Sequence, residues 1–381
     1  MSISLNERQL LLVAILAVEG IGRKSLRRVL QQLKELNVSL EEFWQQKPAQ
    51  IWELCGLNGK QQQGLRNFKK RFTPKNYFGW LNKQNITVIT NEDKRYPKLL
   101  KRIDDKPLVL YIKGSISGVN QRPIAVVGTR KISGYGRTVC EQLVSELVSS
   151  QATIVSGFMH GVDTWAHRQA INQGGYTVGV LGYGFDHLYP VSNRKFFDEM
   201  LAQGNGFITE YPPWVGAHRG NFPERNRIVA GMSLATLVIE AGKKSGSHIT
   251  ATFAGEYGRG ICAVPGPITN PYSEGTKWLI NQGARLVTSA REVLEEAGVY
   301  GADWSKLIPD KTNISQPSFS DELQQKVYQQ LLNQPLPTDE LAKQLELSIP
   351  NLNTALSLLE LEGYLHKQNN TWFVKNADSV Q

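Results

Sequence analysis

Cysteine is scarce in this chain: three residues, Cys55, Cys140 and Cys262, among 381. Their scatter excludes a disulfide framework and offers no zinc-ligand spacing. Two of them stand in apolar runs and are expected in cores, and such usage fits a reducing cytoplasm. Long apolar runs are lacking as well. Leu10 to Val18 is a nine-residue run, against the roughly 20 residues a membrane span needs. Glu7 beside Arg8, and the passage of the run into a glycine hairpin and a basic helix, also argue against a signal-peptide core. Low-complexity segments and short-period repeats are missing, which excludes a solenoid. The six histidines show neither a triad nor a zincin spacing. Asp163 and His167 form an i, i+4 pair without a third ligand, so Asp163 reads better as a helix N-cap than as a metal ligand. No nucleophile, metal ligand or cofactor-binding residue is assigned.

What the chain does have is length, a basic excess and a series of glycine-bearing turns. At 381 residues two or three domains are expected. A net charge of +9 points toward a polyanionic partner. The charge is uneven. Residues 1–76 carry 13 Lys+Arg against 6 Asp+Glu, whereas residues 320–381 carry 4 against 8. The two ends should therefore do different work.

The sequence divides into a helical region (1–76), a strand-and-helix region (77–298), a polar linker (299–319) and a small C-terminal domain (320–376). In the first, Val18–Lys24 and Cys55–Lys60 each place a glycine pair between helical patterns. This is the look of a helix-hairpin-helix or SAM-like domain, although a glycine turn is also an ordinary helix connection. Lys60, Arg66, Lys69, Lys70, Arg71 and Lys75 follow without an acid among them. They read equally as a solvated face or as a nucleic-acid contact. In the second region Ile86–Thr90 and Leu108–Ile112 are expected strands. Seven more follow at 124–128, 152–156, 177–181, 207–210, 234–240, 261–264 and 284–288, alternating with helical patterns. They are continuous, β-branched and apolar, as strands buried on both faces are. The expected fold is α/β, a Rossmann-like, doubly wound, mostly parallel sheet with right-handed crossovers. In the last region, helix, helix-turn-helix and a hairpin around Asn369-Asn370 give a winged helix.

The chemistry lies in the turns after the strands. They read Gly128-Thr129-Arg130, Ser156-Gly157, Gly182-Tyr183-Gly184, Phe222-Pro223-Glu224-Arg225-Asn226-Arg227 and Lys243-Lys244-Ser245-Gly246-Ser247. In a doubly wound sheet such turns open at the carboxyl edge, where ligands bind. Glycine lets backbone N–H groups approach an anion, and helix N-termini add favourable partial charge. Two arginines are expected in the first turn of the helix after Phe222, where an anion would offset their clash with the helix dipole. The glycines after the first strand lack the G-x-G-x-x-G spacing, and strand two ends in Ser156-Gly157 where an acid would bind ribose hydroxyls, so a dinucleotide is excluded. Several basic loops in series point to a groove for several phosphates.

These residues carry a resemblance. The run VVGTR…YG, SG…GVD..AH, VLGYGFD.LYP.SN, TEYP, FPERNRIVAG, VIEA…SGS.ITA, AVPG and GT..LI..GA resembles, densely and in order over about 120–290, the DNA-processing protein A (DprA/Smf) family. Both flanking domains are of kinds seen there. Met159, His248 and Lys277 depart from the family's usual residues. The resemblance implies a cytoplasmic, non-enzymatic protein that binds and protects incoming single-stranded DNA. It would dimerise through the Rossmann-like domain and load the RecA recombinase during natural transformation. By motif match it implies a strand groove made of Arg130 in its Gly128-Thr129-Arg130 turn, Ser156-Gly157, Asn193, Lys195, Arg225-Asn226-Arg227 and Lys243–Ser247. The acidic winged helix then reads as a protein-facing module. A rival reading is an enzyme similar to the lysine-decarboxylase-like phosphoribohydrolases, with Glu240 or Glu256 working beside Arg259. The chain lacks that family's PGG-x-GT loop.

Overall fold

The computed structural model describes residues 5–299, 319, 321–368 and 370–374, in two compact units divided near residue 308. Most of the expected linker therefore lies outside the described residues, as do 320, Asn369 of the expected hairpin turn, and 375 and 376 at the end of the expected winged helix.

The first unit is organised by a nine-stranded sheet. Its strands are β1 (Thr87–Thr90), β2 (Val109–Gly114), β3 (Pro123–Val127), β4 (Thr153–Ser156), β5 (Thr177–Leu181), β6 (Gly206–Thr209), β7 (Ala235–Val238), β8 (Gly260–Ala263) and β9 (Arg285–Leu286). Their order is β1-β2-β6-β5-β4-β3-β7-β8-β9. The run from β6 to β9 is parallel, and β1 and β2 are antiparallel additions at one edge. Strand alternation sorts the core onto two faces. Ile124, Val126 and Ile154 pack on one face with Leu143, Val144, Ala166 and Leu294. Ala125, Val127 and Val155 pack on the other with Ile228, Val229 and Ala251. From β3 the order runs to β4 on one side and to β7 on the other, so the carboxyl end of β3 is a topological switch point.

Six helices precede the sheet: Glu7–Leu16, Arg23–Glu35, Leu40–Gln45, Ile51–Leu54, Gly59–Arg71 and Pro74–Lys83. Asn6, Ser39 and Asn58 each close a capping box. Both expected hairpins are present, turned by Gly20 (φ +83°) and Gly56 (φ +72°). Gln61 joins them, its Nε2 donating to the Gly20 carbonyl at 2.9 Å and to Ser25 Oγ at 3.1 Å. The expected division at residue 76 is not a break in packing. The helical core continues without interruption into Val88, Val109 and Tyr111 of the sheet and reaches Trp214. The basic run is also partly spoken for. Lys69 donates to the Trp44 carbonyl at 2.6 Å and lies over the rings of Trp44 and Trp52. Arg66 covers Trp52, and Arg71 covers Phe72. Their charged heads lie over aromatic rings in cation–π contacts.

The second unit has its own core, including Val327, Leu341, Leu356, Leu359 and Trp372. Helix Glu322–Asn333 is followed by β10 (Leu336–Pro337) and helices Thr338–Gln344 and Ile349–Leu361. The hairpin of β11 (Leu365–Gln368) and β12 (Thr371–Val374) closes it, in the order β10-β12-β11. The last helix contains no Lys or Arg. No described helix is long and apolar enough to cross a membrane.

Candidate nucleic-acid interface

A cleft of about 750 Å³ opens at the switch point, lined by the loops after β3, β4 and β7 and by the start of helix Asn221–Gly231. Close backbone approach makes it. A side chain at Gly128 would put its Cβ 2.6 Å from Val162 Cγ2 and 2.7 Å from the Glu240 carbonyl. Gly161, at φ +77°, lies against the Thr129 carbonyl with no room for a Cβ. Thr129 N–H donates to the Glu240 carbonyl at 2.7 Å, and Val162 N–H to the Thr129 carbonyl at 3.1 Å. The three loops are thereby bolted together.

Arg130, Arg219 and Lys244 line this cleft, are exposed, and have no ion-pair partner among the described residues. Arg130 lies 5.8 Å over the ring of Phe222, which packs at 5.6 Å against the half-exposed ring of Tyr189. Cations beside an aromatic pair suit a nucleotide chain, whose phosphates and bases need one of each. On the opposite wall Ser245 and Ser247 share a hydroxyl contact at 2.8 Å, and Asn226 Nδ2 donates to the Gly246 carbonyl at 3.3 Å. At the start of helix Ser247–Glu256 the loop caps itself: Ser247 N–H donates to Ser245 Oγ at 3.4 Å, and His248 and Ile249 N–H donate to the Ser245 and Gly246 carbonyls at 3.2 Å.

The other expected site residues fall differently. Helix Asn221–Gly231 begins four residues before Arg225, because Pro223 fits a first turn where its missing N–H costs nothing. Arg225 and Arg227 thus lie beyond the first turn, and both are buried. Arg225 lines the cleft floor, but its guanidinium donates to the carbonyls of Gly157 and Val180. Burial pushes its pKa down, against the pull of Asp163. Arg227 is removed from the groove altogether. It has no solvent exposure, pairs with Glu210 and Asp105, and donates to the Asp105 carbonyl at 2.8 Å. Ser156 is equally interior, its hydroxyl donating to the Val126 carbonyl at 2.6 Å. Gly157 is small because the Arg225 guanidinium lies where a Cβ would be. Asn193 is buried and donates to Thr164 Oγ1 at 3.1 Å. Lys195 and Lys243 are exposed, yet neither lines the cleft, whereas Tyr189 of the segment before Lys195 does.

Asp163 is the single carboxylate in the described lining. It does not cap its helix: Gly161 holds the N-cap position and Asp163 sits in the first turn, accepting from Met159 N–H at 3.3 Å. Burial raises its pKa, and Arg225 opposes the rise. His167 does not pair with it. Its Nδ1 meets Thr177 Oγ1 at 2.6 Å, and burial pushes its pKa down to about 3. Glu240 accepts from the backbone and hydroxyl of Ser133 and from Asn270 Nδ2, so its carboxylate braces loops. Glu256 and Arg259 do not line the cleft. Sequence reasoning passed over Arg219, and over the neighbouring, mutually tilted rings of Tyr189 and Phe222. The aromatics flanking proline in Tyr189-Pro190 and Phe222-Pro223 were the available signal.

Residues 87–298 match the family model described as DNA recombination-mediator protein A, and residues 312–369 match the DprA winged helix domain. Protein Smf of Escherichia coli (strain K12) is 35% identical over 328 residues, covering 83% of this chain and 84% of that protein. Protein Smf of Synechocystis sp. is 30% identical over 393 residues, covering 95% of this chain and 98% of that one. The X-ray structure of DNA processing protein A (DprA) from Streptococcus pneumoniae superposes with a TM-score of 0.63 at 31% identity, over 78% of this chain and 99% of that one. With the cleft at the switch point and these matches spanning both units, the chain belongs to the DNA recombination-mediator protein A (DprA/Smf) family.

Proposed function

We propose that the cleft holds the sugar-phosphate chain of single-stranded DNA, and that the protein acts as a recombination mediator without making or breaking a bond. One observation carries this reading. Three exposed cations without ion-pair partners, Arg130, Arg219 and Lys244, surround glycine loops and an aromatic pair at one open cleft. Phosphates would take the cations and the loop N–H groups, and bases would stack on Tyr189 and Phe222. Gly128-Thr129-Arg130, Asn226 and Lys244–Ser247 form the core of the groove. Lys195 and Lys243, exposed but outside the cleft lining, would add phosphate contacts only if the strand runs beyond the cleft. Nothing here reads a base edge as a major-groove helix does, so binding tolerates sequence. Membership in the family supports the further steps: a homodimer through the Rossmann-like domain, delivery of the RecA recombinase to the held strand, and service in the cytoplasm to incoming DNA during natural transformation. The acidic second unit, whose last helix carries no cation, faces protein in this scheme.

The test is a filter-binding comparison of single-stranded and duplex oligonucleotides across a salt series. Tighter, salt-dependent binding of the single strand supports the groove. Equal affinity for both, or a flat salt response, overturns it. Incubation with nucleoside monophosphates should release no free base, and release would restore the hydrolase reading.

A further inference from the structure

We infer that the N-terminal helical bundle sets the strand affinity of the cleft without touching the strand, by clamping the segment 214–224 that forms one cleft wall. The inference rests on the strand-binding reading above. Arg219 and Phe222 of this segment face the cleft. Both ends of the segment are held by the bundle. At one end Trp214 is inserted into an aromatic cage, with ring centroids 6.3 Å from Phe68, 5.5 Å from Tyr77 and 6.1 Å from Trp80. At the other end Glu224, in the first turn of helix Asn221–Gly231, is ion-paired with Arg23 of the first hairpin. Arg23 also binds Asp105 at 3.1 Å. Asp105 in turn accepts from Tyr257 at 2.7 Å and pairs with Arg227 of the same helix. The helix that presents Asn226 to the cleft is thus tied at Glu224 and Arg227 to a single carboxylate-arginine cluster.

Between the two anchors the bundle and the segment part. A cavity of about 890 Å³ separates Leu16–Ser25, Phe68 and Phe72 on one side from Glu210–Val215 and Glu224 on the other. On the bundle side the two anchors are therefore not backed by continuous packing. On the other side the segment is held by Gly184 N–H donating to the Val215 carbonyl at 2.8 Å and by Phe222 against Tyr189, so the bundle adjusts where Arg219 and Phe222 stand and is not their sole support. The first glycine hairpin of the helix-hairpin-helix-like region does its work here as a prop. Arg23, the first helical residue after its glycines, spends its guanidinium on carboxylates and has none left for phosphate.

The test uses full-length Arg23→Gln, Glu224→Gln, Trp214→Ala and the double variant Arg23→Gln/Glu224→Gln. Affinity for a labelled single-stranded oligonucleotide is measured across a salt series. Each single variant is expected to bind roughly three- to thirtyfold more weakly. The double variant should be no weaker than the weaker-binding of the two single variants. The slope of log affinity against log salt should stay at the wild-type value, because no phosphate contact is lost. Arg23→Lys should recover part of the loss. Amide hydrogen exchange without DNA should quicken within 214–224 in Arg23→Gln. Glu224 is only half-buried and Glu224→Gln keeps its size, so this variant keeps the test open if Arg23→Gln fails to fold. If wild type binds and Glu224→Gln and Trp214→Ala bind as tightly, the clamp is wrong. It is also wrong if Arg23→Gln lowers the salt slope by a whole contact, which would make Arg23 a phosphate ligand. A wild-type protein without salt-dependent strand binding would instead remove the groove itself, a result the salt series separates from failure of the clamp.

Discussion

Arg225 and Arg227 stand two residues apart on one helix and serve different ends. Arg225 closes the cleft floor by donating to the carbonyls of Gly157 and Val180, where β4 and β5 end. Arg227 is sealed from solvent between Glu210 and Asp105, on the side facing the helical bundle. The same residue type, at positions that look alike in sequence, is split by the turn of a helix into a floor and a fastening.

Arg227→Ala is accordingly expected to damage stability. It leaves Glu210 buried without its partner, and breaking such a pair costs roughly 3–5 kcal/mol. Arg227→Lys should not restore it fully, since an ammonium cannot span two carboxylates and a carbonyl. Urea denaturation of the variants checks this. A midpoint equal to wild type would show that the buried pair contributes little.

Arg130→Ala and Lys244→Ala should weaken strand binding at unchanged stability. Both side chains are exposed and without ion-pair partners among the described residues. Loss of one charge-assisted hydrogen bond should cost roughly 1.5–3 kcal/mol of affinity. If about four phosphates are neutralised, the wild-type log–log salt slope lies near −3, and each variant should lose about 0.7 of it. Lys195→Ala, lying outside the cleft lining, should lose less. An effect of Lys195 equal to that of Arg130 would move the strand path toward helix Arg194–Ala202.

Tyr189→Ala and Phe222→Ala test the stacking half of the site. Each base stacked on an aromatic ring contributes about 1–3 kcal/mol. Because no charge is removed, affinity should fall while the salt slope holds. Binding of an abasic oligonucleotide should be indifferent to both substitutions. Sensitivity of the abasic strand would mean that the rings only support Arg130.

His167 gives an acid sensitivity whose sign can be worked out. Its folded-state pKa, pushed down to about 3 by burial, lies below the ordinary histidine value of about 6.5. The unfolded chain therefore binds the proton first. Stability is constant above about pH 6.5 and falls as pH drops below it, by about 1.4 kcal/mol per pH unit until the folded form also protonates. His167→Gln should flatten this part of the profile between pH 7 and 5. Denaturation curves at several pH values decide it, and identical profiles for the two proteins would place the sensitivity elsewhere.

Removal of residues 320–381 should leave strand binding largely intact. The deleted part belongs to a separate unit with its own core and carries 4 Lys+Arg against 8 Asp+Glu. An anionic module is expected to be neutral to the strand or to repel it slightly at low salt. Titration of a labelled oligonucleotide with full-length and shortened protein, matched for oligomeric state, is the check. A large loss of affinity would assign the winged helix to DNA.

The sequence by itself determined the alternation of strands and helices, because β-branched apolar runs such as Thr177–Leu181 have no other stable place than a sheet buried on both faces. It also determined which glycine turns would meet, since parallel strands with crossover helices put their carboxyl ends together. The Gly128-Thr129-Arg130 turn and the Lys244–Ser247 loop were legible on that ground, and they do share the cleft. What only the tertiary structure decided was which cations remain free. A basic residue near a loop in sequence can turn outward, as Arg130 and Lys244 do, or find carbonyls and carboxylates from distant segments, as Arg225 and Arg227 do. Gly157 lies 68 residues from Arg225, and Asp105 lies 122 from Arg227. Local pattern carries no trace of such partners, because long-range pairing is set by how the layers stack. The same reason hid the clamp. Trp214 and Glu224 are ordinary in sequence and acquire their work only when the helical bundle folds against the sheet.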